Sequence, residues 1–248
     1  NYGAIGVVIG HEMTHGFDDQ GRQFDKDGNM SNWWTEADAV AFKQRTDILV
    51  DQFNKVLVMP AKGDQPALYA NGEFSLGENI ADQGGLRVSY TAMQNSFGGQ
   101  HPEPVDGLTA EQRFYLSYAT IWAQTMRDEE VIRRTKTDEH SLGKNRVNVT
   151  LRNIDTFHKA FGITDGAMFL PEEERISDDS LEQFVTEDSY EVLRMTIYDM
   201  LADKDAYLDV FVADMKYSDT PISKSISEDL ADIYQDVKNF VCLFRLGI

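Results

Sequence analysis

Several things are scarce in this sequence, and each shortage narrows what the chain can be. Cysteine occurs once in 248 residues, as Cys242, so no disulfide can form within the chain and a disulfide-stapled scaffold is excluded. Long apolar runs are absent, and no stretch reaches the length of a membrane-spanning helix. Positive charge is short as well: 23 Lys and Arg stand against 42 Asp and Glu, a formal net charge of −19. That balance argues against nucleic acid and anionic membranes as partners, because both are recognised by basic patches. It leaves cations and soluble peptides open, and it equally suits a surface charged for solubility. What is plentiful is apolar side chain, 42% of residues, enough for a sizeable core in one or two domains.

The chain is organised around His11-Glu12-Met13-Thr14-His15. Helical periodicity over about residues 5–17 puts His11 and His15 one turn apart on one face, where a single metal ion can take both imidazoles. H-E-x-x-H on a helix is a zinc-peptidase pattern with the Glu as general base. Three fixed positions also recur by chance in unrelated helices. Ile5, Val7, Val8 and Ile9 make the helix apolar ahead of the motif, where an unpaired imidazole would be costly. The third ligand must come from elsewhere, because Asp18 and Gly21 stand where a metzincin carries Gly and His.

Downstream, Asp25, Asp27 and Asn29 alternate as in part of a calcium loop, but the Glu that such a loop needs is displaced to Glu36, so a polar turn is expected. A helix of roughly 35–56 should start at Thr35, with Asp38 completing a capping box and Phe42, Ile48, Leu49 and Phe53 facing the core. Residues 59–71 read as loop. In Ser75-Leu76-Gly77-Glu78-Asn79-Ile80-Ala81-Asp82, Ser75 and Glu78 also fit a capping box. The competing reading makes Glu78 the third metal ligand, with Asp82 one turn on and able to fix a ligating histidine's tautomer. Gly84 and Gly85 then allow close backbone approach. A second capped helix is expected over 109–127, with Phe114, Leu116, Tyr118, Ile121 and Trp122 apolar, then a charged segment over 128–136 and a helix over 149–161. His101 reads as exposed and His158 as structural. Asp138, His140 and Arg146 read either as surface decoration or as the oxyanion and carbonyl groups that a peptidase needs.

Taken together, N-Y-G-A-I-G, H-E-M-T-H-G-F-D-D, D-K-D-G-N with its Trp33-Trp34 pair, E-N-I-A-D-Q-G-G-L, S-Y-A-T-I-W-A-Q and K-T-D-E-H-S-L-G-K-N-R-V-N resemble the neprilysin / endothelin-converting-enzyme family of zinc metallopeptidases. The resemblance covers residues 1–176. It implies a mainly α fold with minor β, the catalytic portion of a thermolysin-like zincin (a gluzincin), followed by a short helical tail. It implies one Zn2+ per chain on His11, His15 and Glu78. Glu12 would polarise the attacking water and shuttle its proton to the leaving amine. Asp82 would orient His11 and Asp18 would support His15. His140, oriented by Asp138, would stabilise the tetrahedral intermediate, and Arg146 would bind the substrate backbone. Val7, Val8, Ile121 and Trp122 match positions lining the S1′ pocket, which implies cleavage of oligopeptides before large apolar residues.

Members of that family are much longer, so the chain, which opens at Asn1 without Met, is expected to be the C-terminal part of a catalytic domain. Its missing upstream half would be a partner, alongside peptide substrates. A zinc-binding module without turnover is the alternative expectation. An extracytoplasmic, periplasmic location is expected from bacterial relatives. From about Ser177 the composition turns acidic, with Asp178, Asp179, Glu182, Glu187 and Asp188. Residues 177–248 are expected to form an unrelated helical segment, similar to an uncharacterised small bacterial family. Its helices are placed over roughly 188–215 and 225–245, with a turn at 217–221. Ile233, Val237, Phe240, Val241 and Phe244 form an apolar stripe on the second helix. Asp229, Asp232 and Asp236 read as a solvated face.

Overall fold

The structure is a computed structural model that describes residues 1–25, 27–176, 187–209, 222–228, 230, 231 and 234. It is mainly helical with two small hairpins, as expected. The described residues fall in two compact units, one holding residues 1–176 and the other those from 187 onward.

The first unit is built on two helices packed against each other, α1 (Val7–Thr14) and α3 (Leu76–Asn95). A π-helical turn, Tyr2–Gly6, leads into α1, and a 3-10 turn, His15–Phe17, ends it. Their axes approach closely because glycines face each other. A Cβ on Gly85 would stand 2.7 Å from both the His11 amide nitrogen and the Val7 carbonyl oxygen. The close approach read from the Gly84-Gly85 pair is therefore a helix–helix contact with the metal-motif helix. Around it lies the main core: Val7, Leu86, Met93, Phe114, Tyr115, Tyr118, Leu151, Ile154 and Phe157. The last six come from α4 (Ala110–Ile121), the 3-10 turn Thr150–Asn153 and α7 (Asp155–Phe161) with the residue between them. A second cluster, Leu49, Phe53 and Val149, seats α2 (Glu36–Asn54).

Both expected capping boxes at Thr35–Asp38 and Thr109–Gln112 are formed. The one at Ser75–Glu78 is not. Ser75 makes no side-chain cap, and its hydroxyl donates instead to the Asn71 carbonyl. Residues 59–71 are not plain loop: β1 (Leu57–Met59) and β2 (Leu68–Tyr69) pair antiparallel across them. α4 stops at Ile121 rather than near 127, and its next residue, Trp122, lies under a guanidinium. Leu116 and Ile121 are exposed rather than core. The charged segment is itself a helix, α5 (Asp128–Thr137), with no buried residue. It has acids in its first turn, bases in its last, and pairs such as Arg133–Glu130, all of which favour helix without a core face. The helix expected over 149–161 is broken at Ile154, whose extended backbone drops its side chain into the core. α6 (Gly143–Asn148) precedes it. The 25–29 segment is the expected turn: Asp25 Oδ1 accepts the amides of Asp27 and Asn29, and Gly28 has φ +78°.

In the second unit, α8 (Glu187–Leu201) is helical, but the helix expected to run to 215 ends there. β3 (Ala206–Asp209) pairs with β4 (Ile222–Ser225), and Asp205 closes the hairpin by accepting from Ser225 and Ser227. Of the second expected tail helix, residues 226–228, 230, 231 and 234 are helical. The turn at 217–221, the stripe Ile233, Val237, Phe240, Val241 and Phe244, and Asp229, Asp232 and Asp236 lie outside the described residues. No helix of the described residues is long and apolar enough to cross a membrane.

Candidate metal centre

α1 and α3 bring three potential ligand groups together. One ligand atom from each of His11, His15 and Glu78 lies within 4.8 Å of the others. The tautomers follow from what the far sides of the rings touch. His11 Nδ1 is 2.9 Å from Asp82 Oδ1, and His15 Nδ1 is 2.7 Å from Asp18 Oδ2. A carboxylate only accepts, so each Nδ1 carries its hydrogen and donates it. Each neutral ring then turns an Nε2 lone pair inward. The two Nε2 atoms are 3.2 Å apart. Glu78 closes the group, with Oε2 3.2 Å from His11 Nε2 and Oε1 3.4 Å from His15 Nε2. Three electron-rich groups at this spacing repel one another unless a cation lies among them. Without a metal, a proton does that work. Burial would lower the His11 pKa, but the carboxylates of Asp82 and Glu78 outweigh it and raise it to about 9. Burial would raise the Glu78 carboxyl, and His11, His140 and His15 beside it hold it below its ordinary value instead. Among the described residues this is the group that can hold a metal ion, and its set of two imidazoles and one carboxylate suits zinc. Glu12, next to His11, is exposed.

Behind His11 the support is deep. Asp82 is 1% exposed and forms a two-point salt bridge with Arg146: Nε to Oδ2 at 2.8 Å and Nη2 to Oδ1 at 2.6 Å. The guanidinium is stacked 3.8 Å over the Trp122 ring, and Tyr118 donates to the Arg146 carbonyl. Behind His15 the support is local. Asp18 takes the amides of Gln20 and Gly21 on its other oxygen. His140 lies at the rim, with Nε2 3.4 Å from Glu78 Oε2. Its Nδ1 and its amide both reach Asp138 Oδ1, while Arg134 grips Oδ2. Burial opposes charge on Asp138, but His140 and Arg134 outweigh it and hold the carboxyl at about 2.

Residues 1–176 match the model described as Peptidase family M13. The chain belongs to peptidase family M13. Its M13 portion is 41% identical to endothelin-converting enzyme 1 of Homo sapiens over 174 residues, and 42% identical to Homo sapiens neprilysin over 175. Each alignment takes 69% of this chain but 22% and 23% of the relative, so the chain spans less than a quarter of the length of these M13 enzymes. Among solved structures, the M13 fold is shared with the Mycobacterium tuberculosis zinc metalloprotease ZMP1 in complex with inhibitor, at TM-score 0.67 and 42% identity. That match covers 71% of this chain and 27% of ZMP1. PepO from Lactobacillus rhamnosis matches at TM-score 0.59 and 30% identity, over 71% of this chain and 26% of its own. Residues 163–248 also match a second model, described as Domain of unknown function (DUF5063).

Against the residues singled out from sequence, the M13 portion places His11, His15, Glu78, Asp82, Asp18, Asp138 and His140 in one connected group. Arg146 joins it from behind, committed to Asp82 and almost fully buried. Val7 is in the core, Val8 and Trp122 are half-buried, and Ile121 is exposed. His101 is exposed and reaches Glu111 at 3.4 Å. Sequence reasoning did not find Arg134, Asn79 or Ser141. Arg134 does stand four residues before Asp138, a helical spacing that signals such a pair, whereas Asn79 and Ser141 meet across 62 residues of chain and carry no spacing signal for each other.

Proposed function

We propose that this chain carries the zinc centre of an M13 peptidase and hydrolyses peptide bonds. The observation that carries the reading is the convergence of two Nε2 lone pairs and the Glu78 carboxylate, each ring held in that tautomer by its own aspartate. Zinc there would supply Lewis acidity to water and to a substrate carbonyl. The rest is done by the chain. Glu12 takes the proton of the attacking water and hands it to the leaving amine. His140, its Nδ1 on Asp138, turns Nε2 toward Glu78 and is the group that meets the developing oxyanion. Asp82 and Asp18 hold the histidine rings. Arg146 holds Asp82 in place, and any contact with the substrate backbone is made from that position. Val8, Ile121 and Trp122 keep apolar surface accessible, and Trp122 stacks on Arg146 behind His11, which is compatible with cleavage on the amino side of large apolar residues.

The short span of the relatives covered favours a second reading, a zinc-binding module that does not turn over substrate unless the rest of an M13 enzyme completes the cleft. One experiment separates these. Zinc content and hydrolysis of an internally quenched peptide are measured for the native chain, Glu78→Ala and Glu12→Gln. The first reading expects close to one zinc natively, little in Glu78→Ala, and full zinc in Glu12→Gln with turnover cut by about 10²-fold or more. Native zinc without hydrolysis selects the second reading. Equal zinc in native and Glu78→Ala protein removes both.

A further inference from the structure

We infer that Asn79 is a positioning residue for His140: acting through Ser141, it pins the loop that carries His140 to the turn of α3 that carries Glu78. Three polar side chains stand in a line behind the ligand turn. Ser141 Oγ donates to Asn79 Oδ1 at 2.8 Å, Asn79 Nδ2 donates to Ser75 Oγ at 3.0 Å, and Ser75 Oγ donates to the Asn71 carbonyl at 2.9 Å. All three are buried, Asn79 to within 1%. The direction of the line is fixed. Ser75 spends its one hydroxyl hydrogen on a backbone carbonyl, so toward Asn79 it can only accept. The amide must therefore present its nitrogen to Ser75 and its oxygen to Ser141. This is also why Ser75 does not cap α3, although it stands at the cap position.

The consequence falls on the residues next in sequence. Asn79 follows Glu78, and Ser141 follows His140. The bond between them clamps the two backbones one residue away from the pair whose side chains meet, His140 Nε2 and Glu78 Oε2 at 3.4 Å. The Arg134–Asp138 pair, on the other side of His140, sets the rotation of its ring through Nδ1. It does not reach α3; of the bonds that do, Asn79–Ser141 is the one beside His140, and the Arg146–Asp82 bridge follows only after α6 has begun. The His140 side chain is 45% exposed, and packing alone does not hold it.

This inference rests on the peptidase reading of Glu78 and His140, so its test has a readout that needs neither turnover nor zinc. In the full chain with zinc added, backbone amide exchange is compared for the native protein, Ser141→Ala, Ser141→Thr and Asn79→Ala. Ser141→Ala is the mild variant and stands should Asn79→Ala fail to fold. The expected result is exchange at residues 138–142 faster by about tenfold or more in Ser141→Ala, the population shift that losing one buried hydrogen bond produces. Ser141→Thr, which keeps the hydroxyl, restores protection. Exchange in α1 and the zinc content stay as in the native chain. With a peptide substrate, kcat falls by about ten- to a hundredfold in Ser141→Ala while KM holds, because a misplaced oxyanion group acts only on the transition state. Unchanged exchange at 138–142 in Ser141→Ala overturns the inference, as does acceleration spread evenly through α1 and α3. Absence of zinc from the native chain would strike the peptidase reading instead, and it registers in the metal content rather than in the exchange rates.

Discussion

His11 and His158 are buried to almost the same depth, 5% and 6% exposed, yet they are driven in opposite directions. Burial disfavours the charged ring at both. At His11 the facing groups are the Asp82 and Glu78 carboxylates, and they overcome burial. At His158 burial is reinforced by the Arg175 guanidinium, which lies 3.1 Å from Nδ1 and outweighs Asp155, so the ring is held below its ordinary value of 6.5. Depth therefore does not identify a metal ligand. The sign of the surrounding charge does. One region of this molecule gathers negative groups that call for a cation, and the other already contains its cation.

The strongest way to break the contrast is to make His11 resemble His158. Asp82→Ala removes the carboxylate and leaves His11 beside Arg146, as His158 stands beside Arg175. Zinc affinity should fall by about 10- to 100-fold, the usual cost of losing a ligand's carboxylate partner. Stability should fall by roughly 3–5 kcal/mol, because the buried Arg146 loses its two-point partner and keeps only Glu78, at 3.9 Å. The double variant Asp82→Ala/Arg146→Met should recover part of that stability and none of the zinc affinity. Denaturant unfolding and zinc competition with a chelator measure the two quantities. A stability loss in Asp82→Ala within experimental error would sink the account of the Arg146 salt bridge.

A smaller effect sharpens the same contrast. His15 is supported by Asp18 from three residues away, in a turn that remains partly exposed. Asn in place of Asp18 keeps an oxygen for the amides of Gln20 and Gly21 and replaces the charged acceptor facing His15 Nδ1 with an NH2 group. Asp18→Asn should therefore cost about tenfold in zinc affinity, the low end of the range, and change stability by no more than about 0.5 kcal/mol. If it costs as much stability as Asp82→Ala, the difference drawn here between deep and local support does not hold.

Much of this centre could be read from the sequence, because its parts follow helical spacing. His11 on α1 and His15, at the start of the 3-10 turn that ends it, are four apart, and Glu78 and Asp82 are four apart on α3. The Gly84-Gly85 pair announced a close approach, and it is α1 that approaches. What failed to show depends on which of several available partners a side chain takes, some of them distant in the chain. Arg146 meets Asp82 across 64 residues, and nothing in K-N-R-V-N says that the guanidinium will be buried under Trp122's ring rather than turned to a substrate. Ser75 offered a regular capping pattern, and only the position of Asn71 and Asn79 in space shows why its hydroxyl is used elsewhere. α5 was hidden for the opposite reason: it has no apolar face, and its helicity comes from charge pairs and the dipole. In the second unit, β3 and β4 pair across twelve intervening residues, and an apolar-acidic stretch there was as compatible with one long helix.

The smallest expected effect tests the other member of the contrast. Because the folded His158 has a pKa below 6.5, the folded chain takes up that proton at lower pH than the unfolded chain. The stability contributed by the neutral ring is complete above 6.5 and is lost as pH falls through the folded value. Melting temperatures from about pH 7.5 to about pH 5.5 should therefore decline more steeply in the native chain than in His158→Phe, where the ring packs against Phe157 and Phe169 without titrating. Other groups that titrate in this range are common to both proteins and cancel in the difference between the curves. Parallel curves would mean that Asp155 and the Met168 backbone offset burial and Arg175 together and leave no net shift at His158, and the sign of the neighbouring charge would no longer distinguish it from His11.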